Sequence, residues 1–424
     1  MDECDRRSPL PPRTFPMMIL APPALLFFCN ALLFVSLFTR LPEIQETLGV
    51  DKAVLGLALL GAPVGTFMAL PLAGRVTERL TPRVAAPLML AVAGLITPAL
   101  TVAPVWGFFL LFLLFGFFRT IHDVAANMIS TGIEKRTGQK VLSRSHGFWS
   151  IGLLVGSLIS GVLAGREVSP LLHQCGAAIV VVLCCLVVLN IAPVEPRQAR
   201  VPLAGGRRPV FVLPDRIIIL ICIMVFGIGI SEGAVYDWGI FYLREILHAD
   251  AATAGVLYAG FTVGMGATRM VGDGLRERFR PLLLVRGSAT CVAIGLAILL
   301  STSGLPLAAL GLFLMGCGVA LGFPLAVATT IELGRGPAAD NLAALSLTLL
   351  LSSIGVPPLL GFVAEHVGLT ASFALLLPFL CLSFIMAPVA QGRVPRPLQR
   401  FVPVAKPGEK DAPAPVSPQD AVRG

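Results

Sequence analysis

The chain of 424 residues is 56% hydrophobic and only 13% charged, with a mean hydropathy of +0.86 and a net charge of +8. A water-facing surface needs roughly 25–35% charged residues, so a soluble body is excluded and an all-α polytopic membrane protein is expected. The basic excess is spread over loops rather than gathered on one face, so nucleic acid is not an expected partner.

Each crossing needs about 20 apolar residues. The polar N-terminal segment 1–15 precedes span 1 at roughly 16–38, which is too long for a signal peptide and is expected to stay uncleaved. Span 1 holds Asn30 and Ser36, small polar groups that suit either a cavity lining or helix packing. Arg40 and Glu43 follow at its outer mouth, where they form a gate or a solvated pair. Span 2, roughly 53–73, leads into the basic loop GRVTERLTPR at 74–83.

Spans 3 and 4 are predicted at roughly 84–103 and 105–128. Span 4 carries the densest polar set, Arg119, His122, Asp123 and Asn127. Arg119, Asp123 and Asn127 repeat every four residues and form one stripe, with His122 on its flank. An ionised group at the bilayer centre costs about 2.5–3.5 kcal/mol on insertion scales, so such residues default to a functional reading. The alternative is an Arg119–Asp123 pair that only neutralises itself.

Span 5, roughly 146–165, opens on His146, a gate or interface residue, and its regular glycines suit close packing. Span 6 follows at roughly 171–192, then a polar connector at 193–215. Span 7, roughly 216–242, holds Glu232 near mid-depth, with no basic residue three or four positions away, and then Tyr236, Asp237 and Trp238. A lone buried carboxyl is a natural proton carrier, with Asp123 and Asp237 as further candidates. Tyr236 and Trp238 suit an interfacial belt or a stacking platform for a sugar ring.

Spans 8 to 12 are predicted at roughly 251–271, 282–302, 305–331, 342–364 and 370–390. Arg269 and Asp273 are expected to anchor the end of span 8, and Pro357-Pro358 to bend span 11. The tail at 391–424, rich in proline and charge, is expected to be disordered. Eight of the nine cysteines lie in apolar stretches without metal-ligand spacing, so no metal site is expected. No nucleotide motif stands in a soluble context, so no cofactor is expected and the energy source should be an ion gradient.

Placing both termini in the cytoplasm puts 26 of the 32 lysines and arginines on that side and four on the other, with Arg119 and Arg269 in the membrane. This follows the positive-inside rule and indicates the cell inner membrane. Glu78-Arg79-Leu80-Thr81-Pro82 recurs 199 residues later as Glu277-Arg278-Phe279-Arg280-Pro281, which divides the chain into six-helix halves at 16–192 and 216–390.

The loop at 74–83 resembles the signature of the major facilitator superfamily between spans 2 and 3. Gly74, Arg79 and Arg83 match it, Glu78 stands for its acid, and Thr81 replaces its second glycine. RLPEIQ (40–45), DVAANM (123–128), SHGFWSIG (145–152) and EGAVYDW (232–238) resemble the fucose-permease-like branch with the YbjJ- and MosC-type membrane proteins. The resemblance implies two pseudo-symmetric halves and a monomeric, proton-linked carrier of a sugar-, polyol- or inositol-like solute. Asn30, Arg119, His122, Asp123, Asn127, Tyr236 and Trp238 are then expected at the solute. Gly74, Glu78, Arg79, Arg83, Arg40 and His146 are expected in gating, with the basic loop latching the cytoplasmic side. Proton-driven efflux of drugs or metabolites is the runner-up; a membrane-embedded enzyme or a non-transporting sensor is the reading from another class.

Overall fold

The structure, a computed structural model, describes residues 17–138, 141–192, 214–334 and 338–393. The N-terminal segment 1–15, all but the last two residues of the 193–215 connector and the tail from 394 on lie outside the described residues. The described residues form helices and no strand. Eleven helical segments are long and apolar enough to cross a membrane. The twelfth, Ala251–Arg278, has the length at 28 residues but is diluted by glycine and threonine.

In chain order the spans are Met17–Phe38, Lys52–Leu80, Pro82–Leu100, Val105–Thr137, Leu142–Gly165 and Pro170–Ile191 in the first half. The second half comprises Arg216–Ile246, Ala251–Arg278, Pro281–Ser301, Leu305–Leu333, Asn341–His366 and Leu369–Gln391. Several run past their predicted ends because hydropathy stops at the first charges while the helix does not. Span 4 has 33 residues, about 50 Å at 1.5 Å per residue, against a hydrocarbon core of about 30 Å. Its surplus carries Lys135 and Arg136 in the last turn. These, with Arg75, Arg79 and Arg276, mark one end of the bundle, here termed the basic end.

The halves repeat one packing scheme. Span 1 packs on 5 and 6, 2 on 4, and 3 on 4 and 6; likewise 7 packs on 11 and 12, 8 on 10, and 9 on 10 and 12. The halves meet through two crossed pairs, span 5 with 8 and span 2 with 11. Span 11 breaks after Ser353 and restarts at Val356, with Pro357 and Pro358 in the new first turn, which realises the expected bend. At the span 5–8 seam, a Cβ built on Gly255 would lie 2.6 Å from the Cα of Gly161. Only glycine lets two backbones come that close.

The end away from the basic residues is sealed. Arg244 on span 7 meets Glu43 at 2.8 Å, and Lys52 on span 2 meets Glu245 at 3.0 Å. The Lys52 backbone N–H also donates to Glu365 at 2.9 Å. Span 7 ends in a π-helical turn, Tyr242–Ile246, which carries Arg244 and Glu245 to this seam.

Candidate functional site

Two polar clusters face each other across the seam between the halves. In the first, Asn30 of span 1 inserts between two residues one turn apart on span 4. Arg119 Nε donates to Asn30 Oδ1 at 2.9 Å, and Asn30 Nδ2 donates to Asp123 Oδ1 at 2.6 Å. Asn30 is buried, while Arg119 and Asp123 are half-buried. The alternative of a self-neutralising Arg119–Asp123 pair does not form: the Asn30 amide is interposed. The Arg119 guanidinium lies 4.6 Å from the Phe34 ring and 5.2 Å from Trp149. Such cation–π contacts contribute about 0.5–2 kcal/mol without neutralising the charge.

The second cluster sits on spans 7 and 8. Tyr236 Oη donates to Glu232 Oε1 at 3.0 Å, and Arg269 Nη2 lies 3.5 Å from the same oxygen. Two expectations change here. Glu232 has a cationic partner, and Arg269 serves it rather than anchoring a helix end. The sequence rule failed because spacing within one helix says nothing of the next helix. Side-chain exposure of 26% for Glu232 and 29% for Arg269 leaves both open to solvent, in contrast to the sealed end.

Phe34 joins the clusters. One ring holds Arg119 over its face and meets Tyr236 edge-on at 5.2 Å. Tyr236 also stands edge-on to Phe261 at 5.9 Å. Phe34, Trp149, Phe261 and Arg269 were not singled out as site residues from the sequence. Trp149 lies within the quoted SHGFWSIG motif, but Phe34 carries no polar signal.

Other predicted residues stand elsewhere. His122 is buried, its Nδ1 2.9 Å from the Ala86 carbonyl of span 3, so it packs away from the seam. Asn127 spends its amide on the backbone carbonyl of Asp123 at 2.7 Å. Trp238 is fully buried, its ring against Gly361 of span 11. Positions 236 and 238 differ by about 200° round a helix, so Tyr236 at the site forces Trp238 away from it. It is neither belt nor platform. Asp237 is half-buried and makes no hydrogen bond or ion pair among the described residues. His146 stays exposed, edge-on to Phe27 at 4.8 Å.

The gating residues divide similarly. Arg40 is 2% exposed, so it is no solvated ion; it donates to the Val168 carbonyl and lies 3.8 Å from Glu43. Burial lowers its guanidinium from the usual value, against the pull of Glu43. Glu43 and Arg244, not Arg40, bridge the halves. In the basic loop Glu78 and Arg79 are exposed, and a Cβ on Gly74 would meet nothing within 4 Å, so that glycine admits no close neighbour here. Arg83 caps a helix rather than pairing with an acid, donating through Nε and Nη2 to the Leu189 carbonyl at 3.2 and 2.7 Å. Thr81, standing where the signature has its second glycine, takes φ 69° and ψ 147°, a conformation suited to glycine.

The arrangement brings donors, acceptors and aromatic faces of both halves together, with Glu232 and Arg269 part-exposed. The sequence profile of the Major Facilitator Superfamily matches residues 24–355. The membrane protein MosC of Rhizobium meliloti is 24% identical over 354 residues, covering 81% of this chain and 83% of that protein. A mutant of the nucleoside transporter NupG superposes with a TM-score of 0.72 at 16% identity, over 88% of this chain and 99% of that one. A D-xylose-proton symporter does so with 0.68 at 14% identity, over 89% and 97%. At these identities the structures share the fold, and the family match carries the rest: the chain belongs to the Major Facilitator Superfamily, multi-pass membrane transporters of small-molecule solutes rather than enzymes.

Proposed function

We propose that the protein is a proton-coupled secondary carrier of a small polar solute, sugar-, polyol- or inositol-like, working by alternating access. It acts as a monomer in the cell inner membrane, drawing on the proton gradient and no other cofactor. The basic end faces the cytoplasm, with segment 1–15, the connector 193–215 between halves 16–192 and 216–390, and the tail 391–424 on that side. In this orientation the seal lies outside and the conformation is inward-facing.

The observation that carries the reading is the seam itself: Arg119, Asn30 and Asp123 from one half confront Glu232, Tyr236 and Arg269 from the other through Phe34. A hydroxylated solute needs mixed donors and acceptors plus an apolar face, and these side chains supply them. A solute seated there touches both halves, so their relative motion alters its surroundings.

The test is counterflow of labelled sugars, polyols and inositols in proteoliposomes. Saturable exchange of at least one is expected, weakened about tenfold or more by Asp123→Asn, as for loss of a charged hydrogen-bond acceptor. Exchange that is the same in Asp123→Asn and wild type would remove the seam from solute binding.

A further inference from the structure

The charges at the seam are unevenly satisfied. Arg119 uses Nε on Asn30, and its terminal nitrogens make no hydrogen bond among the described residues. Its obvious acid, Asp123, is occupied by the Asn30 amide instead. Across the seam Arg269 approaches Glu232 only to 3.5 Å, longer than the 2.7–2.9 Å of a strong charged hydrogen bond. Two guanidinium groups from opposite halves are therefore available to a ligand, one free at its fork and one loosely held.

We propose that the solute carries one carboxylate, bound between Arg119 and Arg269, and that this carboxylate competes with Glu232 for Arg269. The inference rests on the reading of the seam as the solute site. The ligand class is a hydroxylated monocarboxylate, such as a sugar acid.

Charge counting favours one negative charge over two. Arg119 and Arg269 balance Asp123 and Glu232. An added carboxylate leaves an excess of one negative charge, removed when Glu232 Oε takes a proton from water on the loading side. Protonated Glu232 loses its hold on Arg269, which turns to the carboxylate. On the release side the proton returns to water and Arg269 to Glu232. One proton then crosses with one monoanion, with no net charge moved. A dianionic phosphate would need a second cation.

Groups facing this exchange are Tyr236 on span 7, Tyr258 on span 8, Arg119 and Asp123 on span 4, and His146 on span 5. Asp237, next to Tyr236 in sequence, acts on Tyr258 and makes no hydrogen bond or ion pair with either arginine among the described residues. The aromatic faces of Phe34 and Trp149 hold Arg119 in place while it is unpaired.

The experiment is binding to the purified full-length chain, by thermal shift and calorimetry, of matched pairs: gluconate with sorbitol, glucuronate with glucose, galacturonate with galactose. Glucose 6-phosphate serves as the dianion and sodium chloride as the salt control. At least one acid is expected to bind about tenfold or more tightly than its neutral partner, the scale of a charged, bidentate contact. Glu232→Gln, which cannot hold Arg269 as an anion, should bind the acid at least as tightly as the wild type. Arg269→Gln should lose about tenfold of the acid's affinity and Arg269→Lys, which keeps the charge, less. If neutral partners bind as tightly as the acids, the carboxylate is wrong and the polar-solute reading stands. If the phosphate ester binds tightest, the charge count is wrong. If nothing in the panel binds, both this inference and the solute class proposed above fall.

Discussion

The two polar clusters use the same residue types differently. On spans 1 and 4 the buried Asn30 amide stands between arginine and acid and hydrogen-bonds both. On spans 7 and 8 arginine and acid meet directly and loosely, with a phenol on the same oxygen and solvent within reach. A side-chain amide hydrogen-bonded on both sides holds one geometry; a loose, part-exposed ion pair exchanges partners at little cost. The first cluster is built to recognise and the second to switch.

The largest expected effect comes from breaking the fixed cluster. Asn30→Leu removes the amide and lets Arg119 fall onto Asp123; solute affinity should drop about 10- to 100-fold, the range for lost charged hydrogen bonds. An affinity within twofold of wild type would erase the distinction between the clusters. Next comes the seam on which both depend. Gly255→Val sets side-chain atoms against Gly161 and should destabilise the sealed end by about 1–3 kcal/mol. Cysteine probes beside Glu43 should then label faster, and an unchanged rate would show that the seam yields freely.

Tyr236→Phe perturbs the switching cluster more gently. It removes one phenol hydroxyl from beside the solute while Glu232 keeps Arg269, so affinity should fall by only about three- to tenfold, measured by calorimetry beside Asn30→Leu. A loss as large as that of Asn30→Leu would make the two clusters alike. The smallest effect lies outside both: Thr81→Gly relieves the positive φ and should stabilise the protein by about 1 kcal/mol, net of the entropy of the added glycine. A lowered melting temperature would mean that the threonine side chain contributes more than its backbone costs.

Much of this is legible in the sequence. Twelve spans, the tandem repeat, the bend at Pro357-Pro358 and the polar stripe of span 4 all follow from periodicity and charge. Polar residues in apolar helices announce themselves, but their partners do not. Arg269 resembled a helix-end anchor because its nearest acid in sequence was Asp273, while its partner in space, Glu232, lies 37 positions earlier on another helix. Phe34, which links the clusters, is one of 25 phenylalanines and invisible by composition. Helical angle alone separates Trp238 from Tyr236, so only one of the two can face the site.

The most direct measurement compares wild type and Glu232→Gln in proteoliposomes, following solute accumulation under an imposed pH gradient alongside counterflow with no gradient. Gln at this position mimics the protonated acid, so it should free Arg269 permanently, preserve counterflow and abolish gradient-driven accumulation. Full accumulation by Glu232→Gln would contradict the assignment of proton coupling to the loose cluster.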